Sequence, residues 1–63
     1  MNYKLTWTID YKNNKEDFEK DFDALGDVSD FIRSVALLKN DCIDSVYITD
    51  IKSGWAFQIV EVV

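Results

Sequence analysis

Carboxylates are the one type of reactive side chain that clusters in this sequence, and most of them lie in one short segment. Between Glu16 and Asp30 there are seven acids and a single base, Lys20. The rest of the chain carries five acids and six bases, so it is close to neutral. Two carboxyl groups can perform acid–base chemistry where they converge in a cleft, but a chain of 63 residues has little volume for a cleft once its core is closed. We therefore expect a solvated acidic face and a protein that is not an enzyme.

Other catalytic and metal-binding chemistries are excluded by residue types that the sequence lacks. Histidine is absent, which removes the commonest general base and the commonest zinc ligand. The only glycines, Gly26 and Gly54, are too far apart to form a phosphate-binding loop. The run from Asp21 to Gly26 is superficially similar to a calcium loop, but Leu25 and Ile32 stand where oxygen ligands belong. The sequence therefore predicts no cofactor and no specific metal site.

The single cysteine and the first residues of the chain bear on its environment. Cys42 has no partner for a disulfide within the chain, and one thiol fits a reducing compartment. We expect it to be a small, partly buried side chain rather than a nucleophile. The N-terminal residues alternate between polar and apolar and contain no continuous apolar run. We expect one cytoplasmic domain spanning residues 1–63, with no membrane partner.

The acidic residues must be positioned by the elements around them, and the first of these is a strand. Tyr3, Leu5, Trp7, Ile9 and Tyr11 occupy alternate positions, which predicts one apolar face of a strand. Asn13-Asn14 then predicts a tight turn, since asparagine tolerates the positive φ of hairpin turns.

Residues 15–25 fit two interpretations. In a strand, Phe18 and Phe22 point inward while alternate acids point outward. In a helix, Phe18, Phe22 and Leu25 form one apolar stripe at i, i+4 and i+7. Aspartate and glutamate are poor strand formers, yet the preceding asparagine turn favours a returning strand. We favour a short second strand and keep the helix as the alternative.

A helix is predicted from Asp27 to Lys39. Gly26 interrupts the chain, Asp27 is a typical N-cap, and Asn40 is a typical stop. Leu37 lies on the opposite, polar side of this helix. The apolar stripe consists of Val28, Phe31, Ile32, Val35, Ala36 and Leu38.

The last third of the sequence predicts a hairpin of residues 45–51 and 55–63 around Lys52-Ser53-Gly54. Pairing Ile51 with Trp55 makes both faces of this hairpin apolar. The first face, which we call the predicted aromatic face, consists of Tyr47, Ile51, Trp55, Phe57 and Ile59. The other consists of Val46, Ile48, Ala56, Val60 and Val62. One helix covers one face, so either the acidic segment or a second molecule must cover the other.

These elements predict a small α+β fold in which an antiparallel sheet of three or four strands packs against one helix, in the order β-(β)-α-β-β. The first functional hypothesis is a non-enzymatic interaction or regulatory module that self-associates or binds a protein partner through the predicted aromatic face. Direct nucleic-acid binding is disfavoured, because aromatic stacking platforms work inside positively charged grooves and this chain has a net charge of −5.

The second hypothesis concerns the outward acids Asp17, Glu19, Asp21 and Asp23, which we call the acidic ladder. In a strand, alternate carboxylates lie about 6.8 Å apart, a spacing of the same order as that of phosphates along DNA. Such a ladder would fit the basic groove of a nucleic-acid-binding protein. Small acidic inhibitors from phages and mobile elements, including anti-restriction and anti-CRISPR proteins, act in this manner, and the analogy is one of charge alone.

Overall fold

The computed structural model describes residues 1–61, which form one four-stranded antiparallel sheet and one α-helix in the order β-β-α-β-β. The bounds of the elements are β1 Tyr3–Tyr11, β2 Asn14–Phe22, α1 Leu25–Ser34, a 3-10 turn Leu37–Lys39, β3 Ile43–Asp50 and β4 Ala56–Gln58. The strand order is β2-β1-β3-β4, so β2 and β4 are the two edges. The predicted fold class is confirmed, and residues 14–22 are a strand rather than a helix.

β1 and β2 form a hairpin whose loop is Lys12-Asn13, one residue earlier than the predicted Asn13-Asn14 turn. Tyr11 pairs with Asn14 to close the loop, and Lys12 has the positive φ, 46°. Trp7 then opposes Phe18, which puts both aromatic rings on the same face. The alternation of β1 therefore fixes which face of β2 is apolar.

β1 is one of the two interior strands, and its second neighbour is β3. Leu5 opposes Ile48 and Trp7 opposes Val46, so the apolar alternation of the two strands coincides. An irregularity between Thr8 and Ile9 shifts the pairing, after which Ile9 opposes Ile43. This arrangement places the apolar residues of β1 and β3 on one face, which we call the inner face.

The helix begins and ends earlier than predicted. It runs from Leu25 to Ser34 with Ala24 as N-cap, not from Asp27 to Lys39, and no side chain caps its N-terminus. The chain leaves the helix at Ala36, which has a left-handed conformation (φ 51°, ψ 43°). The Ala36 N–H donates to the Arg33 carbonyl oxygen (3.1 Å), as in helix C-terminal motifs.

This break changes which residues reach the core. Leu37 was predicted to lie on the polar side of a continuous helix, but the turn after Ala36 buries it. Val35 was predicted on the apolar stripe and is half exposed. The core lies between α1 and the inner face of the sheet; its buried members are Leu5, Val28, Ile32, Leu37, Val46 and Ile48.

Four aromatic rings extend this core towards the β2 edge. Trp7 stacks on Phe18 with 5.6 Å between ring centroids and contacts Phe31 of the helix at 5.6 Å. Phe22 contacts Phe31 at 5.5 Å, and the Lys20 ammonium lies over both of these rings. Phe18 and Phe22 therefore enlarge the inner face at one edge and do not cover a second face.

Candidate functional site

The β3–β4 hairpin has a different register from the one predicted. Tyr47 opposes Gln58 and Ile48 opposes Phe57, whereas the predicted register paired Tyr47 with Ile59. A shift of one residue exchanges the two faces of a strand. Phe57 therefore lies on the inner face beside Ile48, while Tyr47 lies on the opposite, outer face.

Asp50 explains the shift. Its carboxylate accepts hydrogen bonds from the backbone N–H groups of Lys52 (3.0 Å) and Ser53 (3.4 Å). Its own N–H donates to the Trp55 carbonyl oxygen (2.8 Å), which closes the loop. The loop thus contains four residues, Ile51 to Gly54, and Gly54 supplies the positive φ of 80°. Ile51, which was predicted to end the strand, belongs to the loop.

The predicted aromatic face is consequently divided among several surfaces. Tyr47 lies on the outer face and Ile51 in the loop. Ile59 is partly buried against the core, and its N–H donates to the Val46 carbonyl oxygen (2.8 Å). Only Trp55 and Phe57 remain together as an exposed aromatic pair. Val62 and the predicted strand end at Val63 lie outside the described residues.

The outer face is mostly polar, so the hairpin does not have two apolar faces. A shallow depression there is lined by Thr6, Thr8, Asp17, Glu19, Ser45 and Tyr47, together with Trp7 and Phe18. The prediction of a second apolar face, to be covered by the acidic segment or by a second molecule, is therefore wrong. The uncovered apolar surface lies at the edge of the inner face instead.

Trp55 and Phe57 form that surface. They are 66% and 53% exposed, and their rings stack with centroids 6.1 Å apart. An α-helix is about 10 Å wide, whereas the axes of four strands span about 14 Å. One helix placed over β1 and β3 therefore leaves the inner face of β4 open. We call residues 55–58 the edge patch.

A groove runs beside the edge patch, between α1 and the strands. Leu25, Val28 and Ile32 line its helix side, and Ile48 and Ile59 line its sheet side. Leu25 is half exposed there. Since Phe57 opposes Ile48, the aromatic pair continues the apolar lining of this groove to the sheet edge.

The backbone of β4 is also open on one side. The carbonyl of Trp55 and the N–H of Ile59 bond to β3. Backbone groups in an antiparallel pair alternate between the two sides of a strand. The N–H and C=O groups of Ala56 and Gln58 therefore point away from β3, and among residues 1–61 no strand pairs with that side.

The acidic ladder lies at the other edge of the sheet. Asp17, Glu19 and Asp21 alternate along the outer face of β2, and Asp23 follows the strand. Asp17 accepts a hydrogen bond from the Thr8 hydroxyl (2.7 Å). Glu19 lies 3.7 Å from the Lys4 ammonium, and Asp23 lies 3.5 Å from the terminal ammonium of Met1. These ion pairs are solvent-exposed and weak, so the ladder keeps its negative character.

The structure also bears on the cysteine, on metal sites and on membrane-spanning helices. Cys42 is exposed rather than partly buried. Within residues 1–61, no three of the acidic and cysteine side chains converge as a metal site would require. Over the same range, neither helical segment has the length and hydropathy needed to cross a bilayer.

The chain matches no protein-family model, no curated protein and no solved structure.

Proposed function

We propose that this protein is a non-enzymatic interaction module that makes its contact through the edge patch. The observation that supports the proposal is the stacked pair Trp55 and Phe57, exposed on a strand with an open backbone edge. Tryptophan and other aromatic residues dominate the energetics of protein interfaces. An added strand would use the free N–H and C=O groups of Ala56 and Gln58, as in β-strand addition.

The size of the patch sets the strength of the contact. Burying the exposed parts of two large aromatic side chains removes on the order of 250 Å² from water, which contributes about 6 kcal/mol. Association costs of several kcal/mol oppose this gain. The patch therefore needs backbone hydrogen bonds or the adjoining groove to give a stable complex.

Site-specific photo-crosslinking tests the proposal in cells that express the protein. A benzophenone amino acid replaces Trp55 or Phe57, and the matched control replaces Tyr11, which is 47% exposed at the far end of β1. We expect covalent adducts from positions 55 and 57 and none from position 11. Equal yields at all three positions, or no adducts, would contradict the proposal.

A second candidate function rests on the acidic ladder. Three of its four members alternate along one face of a nine-residue edge strand, so they present the extended row of charge that a basic nucleic-acid-binding groove would accept. On this hypothesis the partner is a basic DNA-processing protein, bound in place of DNA. Charge–charge binding of this kind weakens as salt screens the contact.

Charge-neutralising variants separate this hypothesis from general acidity. One variant carries D17N, E19Q, D21N and D23N; the matched control carries D27N, D30N, D41N and E61Q, and each loses four negative charges. We expect the ladder variant alone to stop competing with duplex DNA for a panel of basic nucleases and repressors. Competition that survives the ladder variant, or that is insensitive to salt, would exclude the ladder as the contact.

A further inference from the structure

The two edges of the sheet differ in how well they are protected against pairing with another strand. Natural sheets protect exposed edges with charged residues. β2 carries six charged residues in nine: Lys15, Glu16, Asp17, Glu19, Lys20 and Asp21. β4 carries none in Ala56, Phe57 and Gln58. The chain thus protects one edge and leaves the other open beside an exposed aromatic pair.

We propose that the occupant of the edge patch is a second copy of this chain, paired β4 to β4 in antiparallel orientation. This inference rests on the proposed function, because it names the partner of the same surface. A two-fold axis perpendicular to the sheet would join the two sheets into one of eight strands. Both helices would then lie on the same side, with the two uncovered parts of the inner faces between them.

The outward backbone groups determine the register of this pairing. Ala56 of each copy exchanges N–H···O=C hydrogen bonds with Gln58 of the other, which gives four bonds. Phe57 then opposes Phe57 of the second copy in a non-hydrogen-bonded pair, where side chains approach most closely. Trp55 opposes Ile59 of the second copy, an aromatic and β-branched pair of the kind that stabilises sheets. Each exposed ring thereby gains an apolar partner.

The charge distribution favours this pairing over one through β2. Each chain has a net charge of −5, and its acidic ladder lies on the strand farthest from β4. In the eight-stranded sheet the two ladders would lie seven strand spacings apart, about 34 Å. That distance is several times the Debye length of about 8 Å at physiological salt. Pairing through β2 would bring the ladders together.

Sedimentation equilibrium of the purified chain tests the inference between about 1 and 500 μM, the range of weak dimers. A reducing agent is present because the exposed Cys42 could otherwise form a disulfide between copies. We expect the mass to rise with concentration from 7.3 kDa towards twice that value. Gln58→Pro removes an N–H that points to the open edge and leaves the bonds to β3 intact, so we expect dimer affinity to fall at least about 100-fold.

Asp21→Pro is the matched control, because the Phe22 carbonyl accepts a bond from Asn2 beside β1 and the Asp21 N–H therefore points outward. We expect this variant to dimerise as the parent does. Circular dichroism checks that both proline variants fold. If Gln58→Pro is unfolded, Trp55→Ser replaces it and should weaken the dimer by at least about tenfold, since it loses the contact with Ile59.

A mass of 7.3 kDa at every concentration would overturn the inference, as would a dimer that Asp21→Pro dissociates and Gln58→Pro does not. The crosslinking experiment separates this failure from that of the proposed function. A monomer that still gives adducts with other proteins at positions 55 and 57 keeps the contact surface and excludes the second copy. A monomer that gives no adducts excludes both.

Discussion

Replacing Ala36 with glycine should stabilise the protein, because this residue holds a backbone conformation that side chains disfavour. Ala36 has φ 51° and ψ 43° where the chain turns out of α1 towards the buried Leu37. The left-handed conformation costs an L-residue about 1–2 kcal/mol, and glycine avoids this cost. Glycine also gives the unfolded chain more conformational freedom, which lowers the stability of the folded state by about 0.4–1 kcal/mol and offsets part of this gain. The net gain in the free energy of unfolding is about 0.5–1 kcal/mol.

Thermal unfolding at a fixed protein concentration measures this gain as a rise in midpoint of about 3–6 °C. Two controls share the same region. Val35→Gly should destabilise, because Val35 has φ −99° and requires no glycine. Gly26→Ala should stabilise by about 0.5 kcal/mol, because Gly26 lies in the helix and an added Cβ meets no atom within 4 Å. An Ala36→Gly variant that loses stability, as Val35→Gly does, would refute the assignment of the left-handed turn.

Two further substitutions test the core and the helix start, both by urea unfolding. Leu5→Ala removes a fully buried side chain at the centre of the sheet and should cost about 3–5 kcal/mol; a loss below about 1 kcal/mol would contradict this burial. Ala24→Ser supplies the missing N-cap oxygen to α1 and should add about 1 kcal/mol. No gain there would mean that the helix starts elsewhere. Ala24→Val is the control, because valine suits the extended backbone of Ala24 but has no capping oxygen.

Sequence periodicity predicted those elements whose two faces differ in polarity. β1 alternates without exception, and its apolar side chains Leu5 and Ile9 are buried as expected. In β2 the same alternation outweighed the poor strand propensity of its acids, because Phe18 and Phe22 pair with the aromatic side of β1. Strand pairing supplies the apolar contacts that local propensity leaves out.

The sequence-based predictions were wrong where two strand registers, or two possible ends of a helix, satisfy the same apolar pattern. Apolar residues stand at successive positions in both strands of the β3–β4 hairpin, Val46-Tyr47-Ile48 in one and Trp55-Ala56-Phe57 beside the other, so alternation does not select a register. The hydrogen bonds of the Asp50 carboxylate to the loop do select it, and an aspartate directly before Ile51 was the signal that could have indicated a longer loop. The position of the candidate contact surface depended on that one residue.

The predicted C-terminal end of the helix was wrong for a related reason. Continuing α1 through Ala36 keeps a regular apolar stripe, whereas ending it there lets Leu37 enter the core. The free energy gained by burying the Leu37 side chain exceeds the free-energy cost of one alanine in the left-handed conformation. Such a comparison requires the position of the sheet, which a helical pattern alone does not contain.

Because β1 lies between β2 and β3 in the sheet, its two strand pairings can form only one after the other during synthesis. β1 and β2 are joined by a two-residue loop and can pair as soon as both have emerged from the ribosome. The other side of β1 waits for β3, whose residues pair with it across some 34 to 47 positions of sequence. Until β3 has been translated, the side of β1 that pairs with it has no partner strand, so this interval is when a chaperone or premature aggregation would act on the chain.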